Sequence, residues 1–143
     1  QRMSKNLALA RVDNRKKADA FFAQNKTKDG VITLASGVQY RILKAGRGPT
    51  PKESDAVECN YRGTLLDGSE FDATDEGKPA RLVVANLIAG WKEAIKLMPV
   101  GSHWQLWIPP ALGYGERGVG ADSGPNEALV FDVELLGATP TRD

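Results

Sequence analysis

Cysteine and histidine occur once each, so the chain can form no internal disulfide and cannot assemble a Cys/His zinc cage. An excess of charge of one sign is also missing: 19 Lys plus Arg face 18 Asp plus Glu, a formal net charge of +1. That balance removes the electrostatic argument for general nucleic-acid or anionic-membrane binding. No apolar run approaches the ~20 residues that span a bilayer, and no secretory leader is recognisable. The first residue is Gln1 rather than Met, as expected of a processed or trimmed product. The 143 residues, 41% hydrophobic and 26% charged, have the composition of one globular domain with a short extension.

What is present changes character along the chain. From about Ser4 to Lys26 there is no Pro or Gly, and helix formers dominate. Leu7, Ala10, Ala18, Phe21 and Phe22 recur near a helical period as a thin stripe, while Arg11, Asp13, Arg15, Lys16, Lys17 and Asp19 crowd the remaining surface. Such a helix leans on another element or stands in water as a solvated stalk. Residues 1–28 are accordingly set apart as a charged N-terminal helix and residues 29–143 as the globular domain, with Asp29-Gly30 supplying the turn between them.

Beyond Val31 the period shortens to two. Val38, Tyr40 and Ile42 alternate with Gln39, Arg41 and Leu43. Val57, Cys59 and Tyr61 alternate with Glu58, Asn60 and Arg62, and Asp67-Gly68 marks a turn before Glu70-Phe71-Asp72. Arg81 to Ala85 reads as another short strand. Trp104, Leu106 and Ile108 alternate with His103, Gln105 and Trp107, and Leu129, Phe131, Val133 and Leu135 close the series. Trp91 to Met98 is the one helix of this half, placing Trp91, Ile95 and Met98 on a single face before Pro99 and Gly101. About five short strands and one short helix predict an α+β domain whose antiparallel sheet wraps the helix.

Several motifs fail on inspection. Gly113-Tyr114-Gly115-Glu116-Arg117-Gly118 matches G-x-G-x-x-G, but Gly120, Gly124 and Pro125 follow, so no helix can open there to receive a phosphate. The stretch reads instead as a glycine-rich loop presenting Tyr114. His103 alternates onto the outward side of its strand, and Cys59 lies on an inward face as a small buried hydrophobe. Asn25-Lys26-Thr27 is a glycosylation sequon by pattern only. Nucleophilic and metal-dependent hydrolysis are therefore poorly supported, and no cofactor is expected. What remains is aromatic: Tyr61, Phe71, Trp91, Tyr114 and Phe131 fall on separate elements, with Asp72 directly beside Phe71. Core packing accounts for any one ring alone. A carboxylate in apolar surroundings, however, requires a partner, and a core tyrosine is unexpected in a glycine loop.

On these residues the chain resembles the FK506-binding-protein family of peptidyl-prolyl isomerases. The likeness is carried by Tyr61-Arg62-Gly63-Thr64-Leu65-Leu66-Asp67-Gly68, Phe71-Asp72, Leu87-Ile88-Ala89-Gly90-Trp91 and Leu97-Met98-Pro99-Val100-Gly101. Pro109 to Gly118 and Leu129-Val130-Phe131-Asp132-Val133-Glu134-Leu135-Leu136 complete it, all in order between about Gly37 and Leu136. The charged helix resembles the end of the stalk in the bacterial Mip/FkpA-type branch. The resemblance implies a half-wrapped antiparallel sheet around a short helix, with a shallow apolar pocket between them. It implies Trp91 as pocket floor, Tyr61, Phe71 and Phe131 as walls, and Leu82, Leu87 and Ile88 as lining. Asp72 and Tyr114 would form the polar rim, and Ile88 would offer its backbone N–H. Ala80, where relatives carry a bulkier residue, would widen one wall, and Asp122-Ser123 would make the covering loop more polar.

The function so implied is cofactor-free rotamase activity on proline-containing polypeptides during folding. Binding of FK506- or rapamycin-type macrolides and a homodimer through an N-terminal arm absent from this sequence are further implications. A holdase chaperone using the same groove is the second reading. An adaptor for nucleic acid or membrane acting through Arg11, Arg15, Lys16 and Lys17 ranks last at a net charge of +1. The branch resembled points to the periplasm or outer membrane of a Gram-negative bacterium, with the cytoplasm as the alternative.

Overall fold

The computed structural model describes residues 2–75, 77–113 and 127–140, with residues 2–12 described through their backbone only. A helix α1 (Arg2–Asn25) leads into β1 (Val31–Thr33), β2 (Gln39–Lys44), β3 (Asp55–Leu65), β4 (Glu70–Ala73) and β5 (Ala80–Val83). A 3-10 turn at Val84–Asn86 precedes the short helix α2 (Ala89–Ile95), which β6 (His103–Ile108) and β7 (Leu129–Pro140) follow. Among the described residues the strands form one seven-stranded antiparallel sheet in the order β1-β2-β6-β7-β3-β4, with β5 also paired to β3. β5 takes Ala56 to Cys59 and β4 takes Arg62 to Thr64, so the two short strands share one flank of β3 end to end. The expected α+β fold with an antiparallel sheet and a short packed helix is what forms.

Alternation builds the core. Val57 and Cys59, then Trp104, Leu106 and Ile108, then Leu129, Phe131, Val133 and Leu135 are buried on one face, joined there by Trp91, Ala94, Ile95 and Met98. A helix of seven residues has too few backbone bonds to persist alone; burial of its apolar face holds α2 in place. It lies directly on β6, because a Cβ at Gly90 would stand 2.5 Å from Ile108 Cγ2. Burial also pushes the Cys59 thiol up from its ordinary 9.0 to about 12, with the nearby Glu58 charge adding to the effect, so the thiol stays protonated at neutral pH.

The structure departs from the sequence reading in two places. β1 has three residues, too few for alternation to reveal it, and exists through pairing with Gln39 to Arg41 of β2. The second helix starts two residues before Trp91 and ends at Ile95, with Leu97 and Met98 continuing as hydrogen-bonded turns onto the carbonyls of Ala94 and Ile95. Of the two forms open to the charged N-terminal helix, it takes the first: its C-terminal half leans on the sheet face opposite α2 while most of its described side chains stay exposed. Ala18 and Asn25 are buried there, and Phe21 meets Trp107 at 6.4 Å between ring centroids. The Asn25 side-chain amide donates to Gln39 Oε1 at 2.9 Å, and Gln39 Nε2 donates to the Phe22 carbonyl at 3.0 Å. Gln39 and Trp107 alternate outward, as expected, yet both are buried beneath this helix.

Candidate functional site

Four rings from four elements converge beside the N-terminus of α2. The Trp91 indole stacks on Phe131 of β7 at 4.8 Å and 30°, while Tyr61 of β3 meets Trp91 edge-on at 4.9 Å. Phe71 of β4 stands edge-on to Phe131 at 5.6 Å and 82°, and Tyr61 lies 6.4 Å from Phe131. Edge-to-face and offset contacts at these separations are the favoured arrangements of aromatic pairs, so the four rings support one another's placement. Trp91 and Phe131 are buried, whereas Tyr61 and Phe71 are half-buried and keep one side toward solvent.

The local backbone explains how the rings meet. Register runs Gly63↔Asp72 and then Thr64↔Glu70, leaving Phe71 as the extra residue of a β-bulge. In a regular strand Phe71 and Asp72 would point to opposite faces; a bulge re-aims side chains at such a point. Here Phe71 reaches Phe131 while the next residue, Asp72, accepts a hydrogen bond from the Tyr61 hydroxyl at 3.0 Å. Gly63 makes room for both phenyl rings. A Cβ on it would lie 2.8 Å from Phe131 Cε1 and 2.8 Å from Phe71 Cζ.

The remaining expected residues are distributed as follows. Leu82 on β5, and Leu87 and Ile88 in the link to α2, are half-buried and pack against the core that contains the rings. Ile88 is the N-cap of α2 in extended conformation, φ −60° and ψ 151°. The N–H of such a residue lies outside the intrahelical ladder. Ala80 is half-buried and pairs with Cys59 across β5 and β3. Tyr114 and the Asp122-Ser123 segment lie outside the described residues. The buried Trp91 Nε1–H has no hydrogen-bond partner among the described residues. His103 faces outward, as expected, and its Nε2 pairs with Asp132.

Sequence reasoning passed over Gly63 as a spacer for the rings, although it was in plain view between Tyr61 and Phe71. It also passed over Thr74, whose backbone N–H donates to the Tyr61 carbonyl at 2.9 Å. The Thr74 hydroxyl oxygen accepts from the Tyr61 N–H at 3.1 Å and sits 3.4 Å from the Tyr61 carbonyl oxygen. No periodicity signals either role, because both arise from pairing between strands.

An antiparallel sheet packed on a short helix, with an aromatic cluster at that helix's start, defines the class. Residues 48–136 match the family described as FKBP-type peptidyl-prolyl cis-trans isomerase, and residues 1–42 match the domain amino-terminal to it. The chain belongs to the FKBP-type peptidyl-prolyl cis-trans isomerases. It is 49% identical over 125 residues to the outer membrane protein MIP of Legionella longbeachae, covering 87% of this chain and 54% of that protein. It is 45% identical to the peptidyl-prolyl cis-trans isomerase Mip of Coxiella burnetii, covering 86% of this chain and 54% of that one. The chain thus spans about half the length of these curated relatives. The crystal structure of FkpA from Escherichia coli superposes with a TM-score of 0.92 at 38% identity, over 97% of this chain and 65% of that one. A peptidyl-prolyl cis-trans isomerase from Pseudomonas syringae gives 0.84 at 36% identity, over 89% and 94%.

Proposed function

We propose that this chain accelerates cis–trans isomerisation of X-Pro bonds in unfolded or partly folded polypeptides, using the cluster of Tyr61, Phe71, Trp91 and Phe131. The observation that carries the reading is the meeting of these four rings with the Tyr61–Asp72 hydrogen bond at their margin. Rotation about the bond faces a barrier of about 18–20 kcal/mol because twisting the amide breaks its resonance. No bond is cleaved, so the protein needs only to bind the twisted amide more tightly than either planar form. The planar amide is the more charge-separated state and loses more hydration on entering apolar surroundings. A prolyl ring set against Trp91, walled by Tyr61, Phe71 and Phe131, therefore favours the twisted geometry.

Leu82, Leu87 and Ile88 extend the apolar lining, and Ala80 leaves one wall wide. The Ile88 N–H serves a carbonyl of the bound segment, Tyr114 donates a second hydrogen bond, and Asp72 fixes the Tyr61 hydroxyl. Macrolides of the FK506 or rapamycin type would compete for the same surface. Residues 1–28 act as the end of an arm joining residues 29–143 to a second copy in the intact protein. A Gram-negative envelope location, periplasm or outer membrane, fits the relative named as an outer membrane protein; among the described residues no helix is long and apolar enough to cross a membrane. The test is exchange in a short X-Pro peptide with and without macrolide: faster exchange that macrolide suppresses supports the reading. A rate equal to that of heat-killed protein overturns it.

A further inference from the structure

β4 carries two residues of the proposed site on only four positions, at the flank of the sheet, and its pairing slips at the bulge. A short flank strand with a register shift is weakly specified by its own ladder. The residue just beyond it supplies what the ladder lacks. Thr74 engages both backbone polar groups of Tyr61: its N–H donates to the Tyr61 carbonyl at 2.9 Å, and its hydroxyl oxygen accepts from the Tyr61 N–H at 3.1 Å. Two positions earlier on the same segment, Asp72 accepts from the Tyr61 hydroxyl at 3.0 Å. Tyr61 is thus held at both ends, backbone and phenol, by one stretch of three residues.

We infer that Thr74 is a positioning residue for the isomerisation, acting by fixing the register in which the Asp72 carboxylate meets the Tyr61 hydroxyl. This rests on the reading of the aromatic cluster as the reaction site. Thr74 is not one of the four rings; it acts through the Tyr61 backbone, which it engages by its own N–H and its hydroxyl. Removing its hydroxyl while keeping its shape frees Tyr61 to shift relative to Asp72, and small misplacements of positioned groups cost large factors in rate.

The experiment compares the full chain with Thr74→Val and Thr74→Ser, each also in a Tyr61→Phe background, by X-Pro peptide exchange and by amide exchange at residue 61. Thr74→Val should lower kcat/KM about tenfold, chiefly through kcat, and Thr74→Ser should restore it. In the Tyr61→Phe background the same Thr74→Val change should cost under about twofold, since the coupled hydroxyl is gone. Amide exchange at residue 61 should quicken in Thr74→Val and return to normal in Thr74→Ser. Equal losses in both backgrounds, or a Thr74→Ser variant as impaired as Thr74→Val, would overturn the inference. So would unchanged amide exchange in Thr74→Val. A wild-type chain that fails to accelerate exchange overturns the isomerase reading and this inference with it, whereas an active wild type with an unaffected Thr74→Val overturns this inference alone.

Discussion

The two faces of the sheet each carry a helix, and they hold it by opposite means. On one face α2 has seven residues, no side-chain cap at its N-terminus and an apolar stripe sunk into the core. On the other, α1 runs 24 residues and is fixed near its end by a polar relay from Asn25 through Gln39 to the Phe22 carbonyl. Trp107 and Ile108, neighbours on β6, show the division: the first lies against Phe21 of α1, the second against Gly90 of α2. Apolar contact is non-directional and packs rings tightly wherever they fit. Hydrogen bonds are directional, so the relay sets where a long helix leaves the domain. The proposed reaction surface sits on the apolar side, and α1 docks on the polar side.

That contrast can be broken most forcefully at Phe131, which touches Trp91, Tyr61 and Phe71. Phe131→Ala should cost about 3–5 kcal/mol of stability, read as a shifted denaturant midpoint, and should abolish peptide exchange. Gly63→Ala comes next. Its new methyl group would force the Phe71 and Phe131 rings apart, costing about 1–3 kcal/mol and lowering exchange activity. If activity survives unchanged, the close approach of those rings is irrelevant to turnover. Gln39→Leu probes the opposite face and should have the smallest effect. It strands the Asn25 amide and removes one of two donors from the Phe22 carbonyl, which keeps the Lys26 N–H at 3.2 Å, at a cost of about 1 kcal/mol as the helix end can peel into water. Amide exchange in the last turns of α1 should quicken while isomerisation stays at the wild-type rate. A loss of activity there would mean that the two faces are coupled.

Much of this was legible along the chain. Alternation in β3, β6 and β7 marked inward residues correctly, because a two-residue period leaves no choice of face once one side is buried. The Trp91, Ile95 and Met98 stripe located α2, and the ordered motifs marked Tyr61, Phe71, Asp72, Trp91 and Phe131 before any ring could be seen near another. The docked half of α1 was not legible. Its stripe is thin, and what secures it is a buried glutamine from β2, a residue type that by itself announces a solvated position. Nor was β1, three residues that become a strand only through a partner.

The sequence by itself determined the antiparallel sheet, its helix and the family, because period-two and helical patterns are local and the motifs are contiguous. Tertiary structure alone decided that Phe71 and Asp72 address the same cluster, that Gly63 clears space for two rings, and that Thr74 clasps Tyr61. Each of these depends on which residue lies opposite which across β3 and β4, where a bulge shifts the register by one. Pairing between strands is settled by the whole sheet closing over its core, so no stretch of chain carries it alone.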